Sequence, residues 1–70
     1  MDDLEVRNIN ILQKISNTNQ MIGFSRNGIY QECLVTKVTW DDYEDVCFMK
    51  TIENRHITVP VKQMKGLTVK

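Results

Sequence analysis

Seventy residues make one domain near the lower size limit at which a hydrophobic core alone offsets chain entropy, so most of the large apolar side chains are committed to folding and little remains for a deep active site. Nine basic and nine acidic residues cancel, which excludes a global field drawing the chain to nucleic acid or anionic membrane. The charge is unevenly spread: Lys50, Arg55, Lys62, Lys65 and Lys70 face only Glu53 after position 45, whereas acidic residues dominate before it.

The first twenty residues form an N-terminal extension. Leu4, Ile11, Leu12 and Ile15 fall near helical spacing, with Asp2 or Asp3 as the cap and Glu5 three residues after Asp2. Asn8, Asn10, Val6 and the isoleucines lower helix propensity, so a strand around 5–9 competes with a short helix. Ser16 to Gln20 reads as a polar connector of turn-forming residues. MDDLEVRN carries neither a basic leader nor an apolar stretch, and no apolar run reaches membrane-spanning length; the expectation is a soluble, cytoplasmic chain that does not engage a membrane.

Residues 21–70 read as about five short strands. Met21, Ile22 and Phe24 begin the first, and Asn27-Gly28 supplies the positive φ of a tight reversal. The second strand runs from Ile29, with Cys33, Val35 and Val38 facing the core; the break in alternation between the last two predicts a β-bulge. DDYED, residues 41–45, is a hairpin tip, and Val46, Phe48 and Ile52 are assigned to the inward face of the next strand. Glu53 to Arg55 makes a turn, and Ile57 and Val59 alternate with polar neighbours. Pro60 ends the ladder, Val61 to Lys65 holds one tight helical turn, and Gly66 releases a last strand from Leu67 to Val69. A hairpin centred on Asp42 and Tyr43 sets Cys33 opposite Ile52 and Cys47 opposite Val38, on the order of 15 Å apart along the ladder, so both cysteines are expected to be reduced and buried.

The run IGFSRNGIYQECLVTKVTWDDYEDVCFMKTIENRHITVPVKQMKGL resembles Tudor-type, SH3-like barrels, which pass through a turn, a strand with spaced valines, an acidic hairpin, an apolar strand, a turn, a strand and a one-turn helix. The resemblance spans residues 22–69 and implies a small, mainly-β barrel. In such readers of methylated side chains an aromatic cage holds the cation. Here Lys50, Thr51, Ile52 and Glu53 stand where the family carries aromatics, and a lysine repels a cationic ligand; Phe24, Tyr30 and Trp40 remain as candidate cage rings.

No catalytic, cofactor or metal constellation accompanies the barrel. Cys33 or Cys47 with His56 lacks an orienting group and a cleft. The carboxylates at 41, 42, 44 and 45 lack the glycine and distal glutamate of a calcium loop, and one histidine with two separated cysteines makes a poor zinc site. The sequence therefore points to a non-enzymatic protein-binding module, a small regulator or inhibitor of a larger protein, acting through Trp40, Asp41, Asp42, Tyr43, Glu44 and Asp45. The alternative is an RNA- or DNA-binding barrel using Arg26, Tyr30, Lys37, Lys50, Arg55, Lys62 and Lys65. A third is a homo-oligomer paired through an open strand edge. The absence of alanine beside abundant Asn, Ile and Lys fits an AT-rich genome such as a phage or mobile element.

Overall fold

A computed structural model describes residues 3–70. Helix α1 (Asp3–Ile15) leads into five strands, β1 (Met21–Arg26), β2 (Ile29–Trp40), β3 (Asp45–Thr51), β4 (His56–Pro60) and β5 (Lys65–Val69), with a single 3-10 turn, Val61–Gln63, between the last two. The fold is mainly β: one antiparallel sheet in the order β4-β3-β2-β1-β5, preceded by one short helix. Of the two N-terminal alternatives the helix forms, with Asp3 and Glu5 in its first turn and Lys14 in its last, each favourable to the helix dipole. The Asp2 cap lies outside the described residues.

The sheet has to curl. In a flat sheet β4 and β5 would stand four strand spacings apart, roughly 19 Å. The turn that joins them starts at Pro60 and ends at Lys65, and its compact 3-10 geometry spans far less. Curling brings alternate residues of every strand onto one inner surface. Ile22 and Phe24 of β1, Cys33 and Val35 of β2, Cys47 and Met49 of β3, Val59 of β4 and Leu67 of β5 share one buried cluster with Val61, Met64 and Leu12 of the helix. Leu12 is fully buried, so α1 contributes to the same core as the sheet.

The expected bulge occurs between Val35 and Lys37, leaving Thr36 and Lys37 both exposed. The carbonyl of Val35 accepts the Asn17 N–H at 3.1 Å, which ties the connector after α1 to the bend in β2. Asn17, Asn19, Asn27 and Asn54 all take positive φ, the conformation asparagine tolerates best after glycine, and together they make the connector and two of the hairpin turns.

The bulge also corrects the expected pairing. Cys33 stands opposite Thr51, one residue short of Ile52, while Cys47 does face Val38. Both cysteines are buried and free. Burial pushes the Cys33 thiol up, and burial with a smaller repulsion from Cys33 pushes Cys47 up to about 12. The expected inward face of β3 is corrected in part: Val46 and Cys47 are buried as expected, but Phe48 and Ile52 are not on the core face. Directly opposed residues share a face, so Cys47 follows Val38 inward and Met49 follows Val35. Phe48 consequently points outward beneath Lys37, whose ammonium lies 5.2 Å from its ring centroid. Ile52 sits in the β3–β4 turn, 70% exposed. Strand β5 begins at Lys65, two residues before the expected start, and its irregular pairing with β1 between Gly23 and Ser25 coincides with the positive φ of Gly66.

Candidate functional site

The two ends of β2 carry two different surfaces. At its C-terminal end Trp40 pairs with Asp45 and closes the hairpin around residues 41–44. Asp41 organises this tip: its Oδ1 accepts the N–H of Tyr43 at 2.9 Å and of Glu44 at 3.0 Å, and its own N–H donates to the Glu44 carbonyl at 2.9 Å. A short polar side chain is required for that turn, which explains why the hairpin opens on aspartate. Glu44 pairs with Lys62 of the 3-10 turn at 2.9 Å, and this hydrogen bond raises the Lys62 pKa.

Two of the four expected docking carboxylates therefore hold the tip together. Among the described residues, Asp42 and Asp45 meet no hydrogen-bonding or ionic side-chain partner. Tyr43, 88% exposed, and Trp40, 60% exposed, stand beside them. The tip presents two rings and two uncommitted carboxylates on a braced turn.

The basic residues expected to line one surface are divided among three places. Lys62 belongs to the tip through Glu44. Arg26 and Arg55 lie at the far end of the sheet, where the β1–β2 and β3–β4 turns meet, and Arg26 Nε donates to Gln63 at 3.0 Å. Lys37 and Lys50 are on the outward face of β2 and β3, in register with Phe48, Leu34 and His56, and Lys65 is opposite Ser25 on β5.

Tyr30 is committed on that outward face. Its ring covers Gly23, where an added Cβ would fall against the hydroxyl and within 2.9 Å of Cζ. The hydroxyl donates to Glu32 at 2.9 Å, and Lys70 bridges to the same carboxylate at 3.1 Å while lying 5.5 Å from the ring centroid. The Lys70 hydrogen bond, then that of Tyr30, holds the Glu32 carboxyl below its usual range, and the Tyr30 and Glu32 oxygens raise Lys70. The backbone of Lys70 adds to the clamp, its N–H donating to the Met21 carbonyl at 2.8 Å and its carbonyl accepting from the Gln20 amide. The three rings left for a cation cage do not converge: Phe24 is in the core, and Tyr30 and Trp40 occupy opposite ends of β2.

Between the turns at the Arg26 and Arg55 end lies a groove of about 660 Å³ that the sequence reading did not pick out. It is the inner surface of the curled sheet continued past the core: Arg26, Ile29 and Gln31 follow the inward alternation of Phe24 and Cys33, and Ile57 that of Val59. Carrying the Cys33-Val35 alternation back to Ile29 would have revealed it. Ile29 and Ile52 on its walls are 63% and 70% exposed.

Among the described residues no group of three His, Cys, Asp or Glu side chains could hold a metal ion, and no helix is long and apolar enough to cross a membrane. The outer edges of β4 and β5 pair with no further strand among those residues. No protein-family model matches the chain, nor does any curated protein or solved structure.

Proposed function

We propose that this chain is a non-enzymatic protein-binding module on an SH3-like barrel, and that its β2–β3 tip docks onto a basic surface of a larger protein, as a small regulator or inhibitor would. The strand order and the 3-10 link between the two edge strands support the SH3-like part of this reading. One observation carries the binding part: Tyr43 and Trp40 are exposed beside the unpaired carboxylates of Asp42 and Asp45, on a turn that Asp41 and the Glu44–Lys62 pair hold in shape. Aromatic side chains supply contact area at low entropic cost, and carboxylates around them select a cationic partner and speed encounter. Preorganisation by Asp41 lowers the ordering cost of docking.

The test is affinity capture from the native cell with the wild type and two double variants, Trp40→Ala/Tyr43→Ala and Asp42→Asn/Asp45→Asn. Asp41 and Glu44 are left in place because they shape the turn. Both variants are expected to release the partner that the wild type retains; retention by both refutes the proposal.

A second reading, nucleic-acid binding, is favoured by the outward face of β2 to β4. Lys37, Lys50 and His56 project there, and the single carboxylate on that face of these strands, Glu32, is neutralised by Lys70. Phosphate contacts weaken steeply with salt. Titration of labelled single- and double-stranded oligonucleotides at two salt concentrations decides it, and no binding at low salt removes it.

A further inference from the structure

The groove at the far end of β2 complements the tip at the near end. Its walls are Ile29, Ile52 and Ile57, and its floor is the buried Cys33. Its rim carries the guanidinium of Arg55, which has no side-chain partner among the described residues, and that of Arg26, which commits only Nε, to Gln63. An apolar trough edged by guanidinium groups selects an occupant with an aromatic or aliphatic body and a carboxylate beside it. Tyr43 with Asp42 has that chemistry.

We propose that the β2–β3 tip of one copy docks in the groove of a second copy, head to tail. This rests on the reading of the tip as a docking element and names a surface that receives it. The two surfaces occupy opposite ends of β2, so one chain cannot satisfy its own groove, whereas a neighbour displaced along the strand direction can. The Tyr43 ring enters between the isoleucines, and Asp42 meets Arg55, with Arg26 on the opposite rim. Zero net charge leaves no long-range repulsion between copies. Glu32 borders the groove, but its side chain turns to the outward face, where Lys70 neutralises it. Glu53 on the rim opposes the incoming acids, so the contact is weak and salt-sensitive. The contact is heterologous, and repetition extends it into a chain or closes it into a ring.

Sedimentation equilibrium of the full chain from micromolar to millimolar concentration, at low and high salt, tests this with the charge reversals Arg55→Glu and Asp42→Arg. Both lie in exposed turns, and their thermal transitions verify folding. The wild type is expected to associate with rising concentration and less so in high salt. Each reversal alone sets like charges together and weakens association by about tenfold or more, and an equimolar mixture restores it. A wild type that stays monomeric throughout overturns the proposal. So does association that both reversals leave unchanged, which would instead point to pairing through the β4 or β5 edge. If self-association fails while capture of a foreign partner still depends on Trp40 and Tyr43, only this inference falls and the tip keeps its role.

Discussion

Replacing Leu12 by alanine tests whether α1 belongs to the same cooperative unit as the sheet. Leu12 is fully buried and is the residue through which the helix enters the core cluster, while Ile9, Ile11 and Ile15 pack only partly against it. Truncating a buried leucine to alanine costs about 2–5 kcal/mol, depending on how far the site collapses. A single helix lying on a sheet can settle by part of that gap, which places Leu12→Ala near 3 kcal/mol. A chain of this size is stabilised by roughly 3.5–10 kcal/mol in total, so the variant loses about 30% or more of its stability. In a domain this small each kcal/mol moves Tm by about 4–8 °C, giving a drop of roughly 12–24 °C. Leu4→Ala, at a helix position 48% exposed, is the matched control and should shift stability by about 1 kcal/mol or less. The assay is thermal and urea unfolding followed in parallel by far-ultraviolet circular dichroism and by the fluorescence of Trp40. One coincident transition is expected in both variants. If Leu12→Ala falls no further than Leu4→Ala, or if the helical signal melts ahead of the Trp40 signal, α1 is an appendage and the reasoning fails. Below the transition the variant should keep the binding properties of the tip and groove, because no residue of α1 lines the groove and the tip is built from β2, β3 and the 3-10 turn.

Four further outcomes follow from the same geometry. Gly23→Ala should lower Tm by evicting Tyr30 from its seat, and should lose that effect in a Tyr30→Ser background; an equal loss in both backgrounds would show that the ring is not the obstacle. The two thiols should resist alkylation in the folded protein at mildly alkaline pH and react at the rate of global unfolding, since burial keeps them protonated; fast labelling of Cys47 in native buffer would contradict its position. Trp40, the single tryptophan, should show a caesium-to-iodide quenching ratio higher than that of a free tryptophan derivative because Asp45 stands opposite it and Asp41 and Asp42 follow it, with the ratio falling in Asp42→Asn/Asp45→Asn. Finally, the Glu32 pKa is lowered by folding, so its stabilisation is present at neutral pH and is lost as pH falls through that lowered value. The stability gap between wild type and Glu32→Gln, measured by urea unfolding across pH, should therefore close in acid, whereas a gap that persists unchanged below the usual carboxylate range would contradict the Lys70 and Tyr30 contacts.

The parts of the fold that were legible in the sequence are those set by local chemistry. Asn27-Gly28 fixes a reversal because few other residues accept φ of 54° and 79°, and the spacing of Val35 and Val38 marks a bulge because strict alternation fails there. What was misread depended on partners distant in the chain. On hydrophobicity alone Phe48 looks like a core residue, yet the sheet decides inward from outward by cross-strand pairing: Val38 and Val35 draw Cys47 and Met49 inward, which turns Phe48 to the other face. The α1 helix, which local propensity leaves in competition with a strand, is supported by a tertiary contact, the burial of Leu12.

The candidate surfaces divide in the same way. The tip was legible because acidic and aromatic residues lie consecutively at a turn. Its division of labour was not, since only the folded hairpin shows that Asp41 and Glu44 are spent on shape while Asp42 and Asp45 stay uncommitted. The basic C-terminal half never becomes one surface, because antiparallel pairing carries Lys62 to the acidic tip and leaves Arg55 at the opposite end. Folding thus converts an acidic half and a basic half along the chain into a molecule with an acidic, aromatic end and a guanidinium-edged, apolar end. A neutral chain with that polarity is poorly suited to uniform attraction toward any polyanion, and well suited to contacts in which one end is recognised in a defined orientation.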